Sequence, residues 1–343
     1  MIDVPFEQLF FSKTMDFLDI YLMKQAGRSA HTRKAYKATL GQFYDYVTTE
    51  RGFSPLGFRF SDCSYQLVLD FSQHMQGHKK YKPVTVNQKL AAIKSYLKYA
   101  ADGNVSIVQV YLAVKKVPEL SVPKIQRPVM EADALAAYLD APSATWIGNR
   151  DRMSLIMLFD TAVRVSELVA ITLGDIVLDI GNPLILIHGK GRKERSIQVS
   201  DKTAEHLKAY INAYHKGEII SDRPLFYTVI HGHLNPMSVR NVERIVKKYG
   251  EAVCREYPGL PDSAYPHLLR RSRASGLYRD GVPLEIVSIL LGHSNIETTR
   301  SHYAFPSPEQ LREALEKNSF KGNDETPLWK GNEDDLKKMF GLK

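Results

Sequence analysis

Apolar residues in the first third of the chain recur with the spacing of a helix face. Met15, Phe17, Leu18, Tyr21 and Leu22 make one such stripe. Ser29-Ala-His-Thr32 opens a second, which carries Tyr36, Leu40, Phe43 and Tyr46. The pattern predicts two helices within 12–50, a loop at Gly52–Gly57, a third helix over Ser64–Met75 and a fourth over Thr85–Ala101. Leu90, Ile93, Leu97 and Ala100 form the buried stripe of the fourth. Four helices joined by short loops imply a small all-α domain, residues 1–116. Pro118, Pro123 and Pro128 follow in close succession. Proline fixes φ and withholds a backbone donor, so 117–128 reads as an extended linker.

Beyond the linker the period changes twice. Helices are expected at about 130–140, 148–161 and 164–172. The spacing then gives way to the β-formers of Pro183–His188 and Arg195–Val199, which flank a Gly-Lys-Gly turn and read as a hairpin. From 202 to 318 the pattern is helical again, with breaks at Pro224, Gly232, Gly259–Pro261, Gly281 and Pro306–Pro308. Residues 129–305 therefore read as a mixed α+β domain with a small antiparallel sheet. The tail, 306–343, carries short helical stretches around Glu309–Leu315 and Glu333–Phe340. The expected fold class is mainly α, in two domains.

Composition narrows the partners. With 343 residues, 44% hydrophobic and 24% charged, the chain has the make-up of a globular protein with room for two cores. Its formal charge of +8 favours a polyanion. Cys63 and Cys254 are too few for a disulfide framework and lack a metal-ligand spacing, which suits a reducing, cytoplasmic setting. Asp3 and Glu7 stand where a signal peptide would be basic, and no run of roughly 18 apolar residues offers a membrane span. Arg28, Arg33, Lys34 and Lys37 gather at the start of the second helix. Lys79, Lys80, Lys82, Lys89, Lys94 and Lys98 lie along the third-to-fourth junction and the expected exposed side of the fourth. Either set alone reads equally as a solvated face; two in one small domain favour insertion into a DNA groove.

Candidate chemistry is concentrated in the second half, in Arg164, Lys190, His267, Arg270, His293 and Tyr303. These are the components of metal-free attack on a phosphodiester. Guanidinium groups clamp non-bridging oxygens, His and Lys move protons, and a tyrosine hydroxyl becomes the nucleophile. Arg164 and Glu167 are expected on one helix face, which taken alone reads as a structural ion pair. Pro266 suits a first helical turn, so His267 and Arg270 are expected at a helix N-terminus, where the dipole favours an anion. The sequence holds no P-loop pattern and no carboxylate cluster for a magnesium pair, so neither nucleotide nor metal cofactor is expected.

Four segments carry a family resemblance: Thr161-Ala-Val-Arg-Val-Ser-Glu-Leu168, Gly189-Lys-Gly-Arg-Lys-Glu-Arg195, Pro266-His-Leu-Leu-Arg-Arg271, and Leu290-Leu-Gly-His-Ser-Asn-Ile-Glu-Thr-Thr299 followed by Tyr303. In order and spacing they resemble the tyrosine recombinases, phage integrases and Xer-like proteins. Thr85-Val-Asn-Gln-Lys-Leu-Ala-Ala-Ile-Lys-Ser-Tyr-Leu97 resembles that family's N-terminal domain, so the likeness covers nearly the whole chain. It implies a four-helix, SAM-like core-binding domain ahead of the catalytic domain. It also implies that Arg164 and Arg270 clamp the phosphate and that Lys190 protonates the departing 5′ oxygen. His267 would assist proton transfer at Tyr303, His293 would orient the phosphate, and Tyr303 would hold the DNA as a 3′-phosphotyrosine. Glu167 keeps its structural role. Arg33, Lys34, Lys82, Asn87, Lys89, Lys94 and Arg192 are the expected DNA contacts. The implied partner is double-stranded DNA with paired half-sites, bound by a homotetramer in synapsis and by a monomer or weak oligomer otherwise, with no cofactor and no membrane. A C-terminal helix exchanged between protomers and one packed on its own domain are equally open.

Three positions depart from the family pattern. Ala162 stands where glycine is usual, an exchange expected to be tolerated within a helix. Arg271 replaces a common histidine. The family's nucleophile position is occupied here by His302, and Tyr303 comes one residue later, a rotation of roughly 100° on a helix. Tyr265 and Tyr278 are the fallback nucleophiles, both read as packing residues. The expected function is site-specific recombination, in Xer-like resolution or in integration and excision of a mobile element. The alternatives are a catalytically silent DNA-binding regulator and a type IB-like topoisomerase.

Overall fold

The computed structural model describes residues 5–123, 128–179, 181–189, 194–218, 220–257, 264–293 and 295–303, together with 312, 315–316 and 337–342; for 301–303 it describes the backbone. The chain divides into two compact units, Met1–Gln126 and Arg127–Lys343.

In the first unit, helix starts follow capping chemistry. A helical segment at Asp16–Gln25 closes with an i→i+5 bond from the Ala26 N–H to the Tyr21 carbonyl, 2.7 Å. The Ser29 hydroxyl then accepts from the Thr32 N–H and opens α1 (Ala30–Asp45), which continues through Tyr46–Glu50. Ser64 caps α2 (Tyr65–Gly77) in the same way. Pro83 begins α3 (Pro83–Ala101), where its missing N–H has no helical partner to lose. The four expected helices are present, and a further one follows: α4 (Val105–Lys115), capped by Asn104. Its β-branched run obscures the helical period, but Ile107 and Val114, two turns apart, both reach the core. That core is aromatic. Phe10 lies 5.2–5.4 Å from Phe43, Phe58 and Tyr96, and accepts the Tyr96 hydroxyl at its carbonyl.

The expected DNA contacts on α3 are placed differently from the sequence reading. Asn87, Lys89 and Lys94 are half-buried rather than on an exposed side. Both ends of the Asn87 amide bond the Leu120 backbone, each at 2.9 Å, and Lys94 Nζ donates to the Val117 carbonyl at 2.7 Å. Lys89 Nζ donates to Gln42 Oε1 at 2.5 Å and lies 4.8 Å from the Tyr81 ring centre. Burial of Val117 draws this segment onto α3, so 117–120, expected within the linker, is bonded to the unit. Arg33 pairs with Asp19 at 2.5 Å, while Lys34, Lys37, Lys79, Lys80 and Lys82 remain exposed.

The second unit begins with α5 (Ala132–Asp140) and α6 (Trp146–Asp160), followed by a single turn, α7 (Val165–Leu168). The expected helix over 164–172 is thus shortened: Ile171 and Leu173 instead bond Leu225 and Arg223 of a later segment. β1 (Ile176–Val177), β2 (Leu184–His188) and β3 (Glu194–Gln198) form an antiparallel sheet in that order. Ile185 pairs with Ile197, and both are buried. After α8 (Asp201–His215) comes a second hairpin, β4 (Tyr227–Ile230) and β5 (His233–Pro236), where the sequence pattern predicts helix. Its turn places His231 at φ 50° and Gly232 at φ 79°, the paired left-handed residues of a two-residue hairpin turn. α9 (Val239–Val253), α10 (Pro266–Arg279), α11 (Leu284–Leu291) and α12 (Ile296–Tyr303) complete the described fold. Leu155 and Leu158 of α6, Val242 and Val246 of α9, and Leu268 and Leu269 of α10 share one core with the sheet.

Candidate active site

The turn between α6 and α7 supplies the first arginine. Thr161 closes α6 by donating its hydroxyl to the Met157 carbonyl, and Ala162 then turns the chain at φ +49°. Ala162 is therefore not helical, as expected from sequence, but in the left-handed region that glycine enters without strain. Arg164 is not within the helix either. With ψ 149° it caps α7, and its N–H donates to Glu167 Oε2 at 2.9 Å. Its Nη1 donates to Glu167 Oε1 at 2.8 Å, so the structural pair exists, yet the arginine side chain stays 42% exposed.

Glu167 has a second cation. Arg195, on β3, donates Nη2 to Oε2 at 2.8 Å and Nη1 to Oε1 at 3.3 Å. Burial raises the Glu167 pKa, but the bonds from Arg195 and Arg164 outweigh it and hold the carboxyl at about 2. Arg195 closes the Gly189–Arg195 motif, which by itself gives it no role. Its signal lay in strand alternation: it shares a face with buried Ile197, so a charge there requires a buried partner.

Pro266 starts α10 as expected, with His267 in its first turn and Arg270 one turn further along. Arg270 is 1% exposed. Its Nη1 donates to the Ala162 carbonyl and its Nη2 to the Leu291 carbonyl, both at 2.6 Å. Nη2 also lies 3.2 Å from His293 Nε2, and His293 Nδ1 lies 2.9 Å from the buried Thr299 hydroxyl. Since guanidinium only donates, Nε2 accepts here and the proton resides on Nδ1, facing Thr299. The sequence reading gave Thr299 no role. Arg271, read there as added positive charge, is buried and donates to the Tyr265 hydroxyl at 3.1 Å.

Arg164, His267 and Arg270 line one cavity of about 230 Å³, with Val163, Val165, Tyr265 and Glu243 around them. Arg164, Arg195 and Arg270 against Glu167 and Glu243 still leave the centre cationic, and α10 points its N-terminus there. Such an arrangement can hold a tetrahedral oxyanion.

Lys190 and Arg192 lie outside the described residues, as does the Tyr303 side chain. The strands on either side of the first pair His188 with Glu194. His188 also bonds Asp175 at 2.8 Å and Glu194 at 3.0 Å, and the Asp175 bond raises its pKa. Position 303 is the last described residue of α12, one turn after Thr299. Tail residues 306–311, 313–314, 317–336 and 343 are outside the described set. Among the described residues, no three His, Cys, Asp or Glu side chains are grouped to hold a metal ion, and no helix is long and apolar enough to cross a membrane.

Two family models match. One described as "Phage integrase family" covers residues 128–310, and one described as "Phage integrase, N-terminal SAM-like domain" covers 16–104. A tyrosine recombinase XerC of Thermodesulfovibrio yellowstonii is 30% identical over 288 residues, 82% of this chain and 87% of the relative. A tyrosine recombinase XerD of Staphylococcus aureus is 28% identical over 298 residues, 85% and 93% of the two chains. Among solved structures, the XerH site-specific recombinase in a post-cleavage complex with its difH substrate has a similar fold, with TM-score 0.66 at 19% identity. That similarity covers 87% of this chain and 83% of the other.

Proposed function

The chain belongs to the phage integrase family, and on that premise we propose that it is a site-specific DNA recombinase that cleaves and rejoins strands through a 3′-phosphotyrosine. The observation that carries this reading is the convergence of Arg164, His267 and Arg270 on one cationic cavity, with His293 bonded to Arg270. In the proposed step, the Tyr303 hydroxyl oxygen attacks the scissile phosphorus, giving up its proton with the help of His267. The bond from phosphorus to the 5′ oxygen breaks, and Lys190 supplies that oxygen's proton. Arg164 and Arg270 stabilise the charge on the non-bridging oxygens, where fixed cations act mainly on the transition state. A 5′ hydroxyl from a second duplex then attacks the phosphotyrosine and releases the enzyme. The phosphodiester's energy is kept in the covalent link, so the reaction closes without nucleotide or metal.

DNA would be bound by the exposed lysines of the first unit, Lys34, Lys37, Lys79, Lys80 and Lys82, and by the exposed face of α9, with Arg240, Arg244 and Lys247. The α9 face was not anticipated from sequence. Two duplexes with paired half-sites would be joined in a homotetramer, serving Xer-like resolution or movement of a mobile element.

A nicked suicide duplex, which loses a short fragment after cleavage and so traps the covalent state, tests the chemistry. Arg164→Ala and Arg270→Ala should keep DNA binding and lose roughly 100-fold or more in cleavage. Normal cleavage by either variant would refute the assigned roles.

A further inference from the structure

We infer that Arg195 is a positioning residue for strand cleavage: it neutralises Glu167 and ties the Arg164 turn to the His293 corner. The inference rests on the reading of this cavity as the cleavage site. Arg195 is 13% exposed, and its guanidinium meets both segments at once. Nη2 and Nη1 reach the two Glu167 oxygens at 2.8 and 3.3 Å, the same oxygens that hold the Arg164 N–H and Nη1. Nε donates to the Leu290 carbonyl at 3.1 Å. The next carbonyl, that of Leu291, accepts from Arg270, and Gly292 and His293 follow. Gly292 sits at φ +61°, and a Cβ there would lie 2.9 Å from Arg195 Nη1. The corner is therefore shaped around the guanidinium by both backbone conformation and contact.

Charge balance explains why a second arginine is needed. Alone with Glu167, Arg164 would form a neutral pair and have little net attraction for a phosphate. With Arg195 satisfying the carboxylate, Arg164 keeps both its placement by Glu167 and a surplus positive charge. A lysine would replace only the charge of this group, because one ammonium cannot present a planar fork to a carboxylate and a third donor to a carbonyl in fixed directions.

Single-turnover cleavage should be measured on two nicked duplexes, one with a phosphodiester and one with a scissile methylphosphonate, which lacks the anionic charge that the clamp stabilises. On the phosphodiester, Arg195→Ala should cleave about 100-fold more slowly than wild type, with DNA affinity within about 2-fold. On the methylphosphonate the deficit should shrink to about 10-fold or less, since less charge needs stabilising. Arg195→Lys should show the same pattern with a smaller loss, and it decides the matter if Arg195→Ala does not fold. Cleavage of the phosphodiester at the wild-type rate overturns the inference. So does an equal deficit on both substrates, the result expected of a merely structural residue. A wild-type protein that forms no adduct would overturn the proposed function itself, and the inference with it.

Discussion

Glu167 is a buried carboxylate held between Arg164 and Arg195, and this governs how the protein meets acid. Burial raises its pKa, yet the arginine bonds lower it from 4.5 to about 2. A folded value below the unfolded one means the stabilisation is complete above about pH 4.5 and is lost as the pH falls through about 2. Glu167→Gln should therefore cost about 2–3 kcal/mol at neutral pH, with the difference from wild type closing towards pH 2 in urea titrations. A difference independent of pH would contradict the ion-pair account. Ala162 offers a second test. In its left-handed conformation, Ala162→Gly exchanges relief of strain for loss of a buried methyl, so stability should stay within about 1 kcal/mol. Ala162→Val should lose more than about 2 kcal/mol in the same titration, because a β-branched residue resists that φ. Equal effects of the two would show that backbone strain at this turn is unimportant.

At the scale of elements, the sequence was most legible where one periodicity met a recognisable cap. Ser29, Ser64 and Pro83 each begin a helix where the spacing predicts one. It was least legible where tertiary bonds override local spacing. Tyr227–Ile230 pairs with His233–Pro236 across a His-Gly turn that the sequence marks only as a helix break. The helix expected over 164–172 stops at Leu168, and the Ile171 carbonyl instead accepts from the Leu225 N–H. In the candidate site, Arg164, His267, Arg270 and His293 carried motif signals, whereas Arg195 and Thr299 act through contacts that only the fold brings about. The α3 residues show the same limit, since an exposed face cannot be inferred from charge alone. Asn87→Ala should weaken the first unit by about 2 kcal/mol, having two backbone bonds to lose, with little change in DNA affinity. Lys82→Ala should leave stability unchanged and reduce the salt dependence of DNA binding by about one ion. The reverse pattern, measured by unfolding and by binding across a salt series, would return Asn87 to the DNA interface.

For the whole molecule, two compact units, a net charge of +8 and a cationic candidate site suit a protein whose proposed substrate is itself a polyanion. Most depends on the proposed nucleophile, Tyr303, which stands one residue later than the family pattern, in α12. Peptide mapping of the covalent adduct on a nicked suicide duplex in EDTA addresses it directly. A single DNA-linked peptide with the 3′-phosphate on Tyr303, absent in Tyr303→Phe, is the predicted result. Linkage through Tyr265 or Tyr278, or loss of the adduct in EDTA, would contradict it.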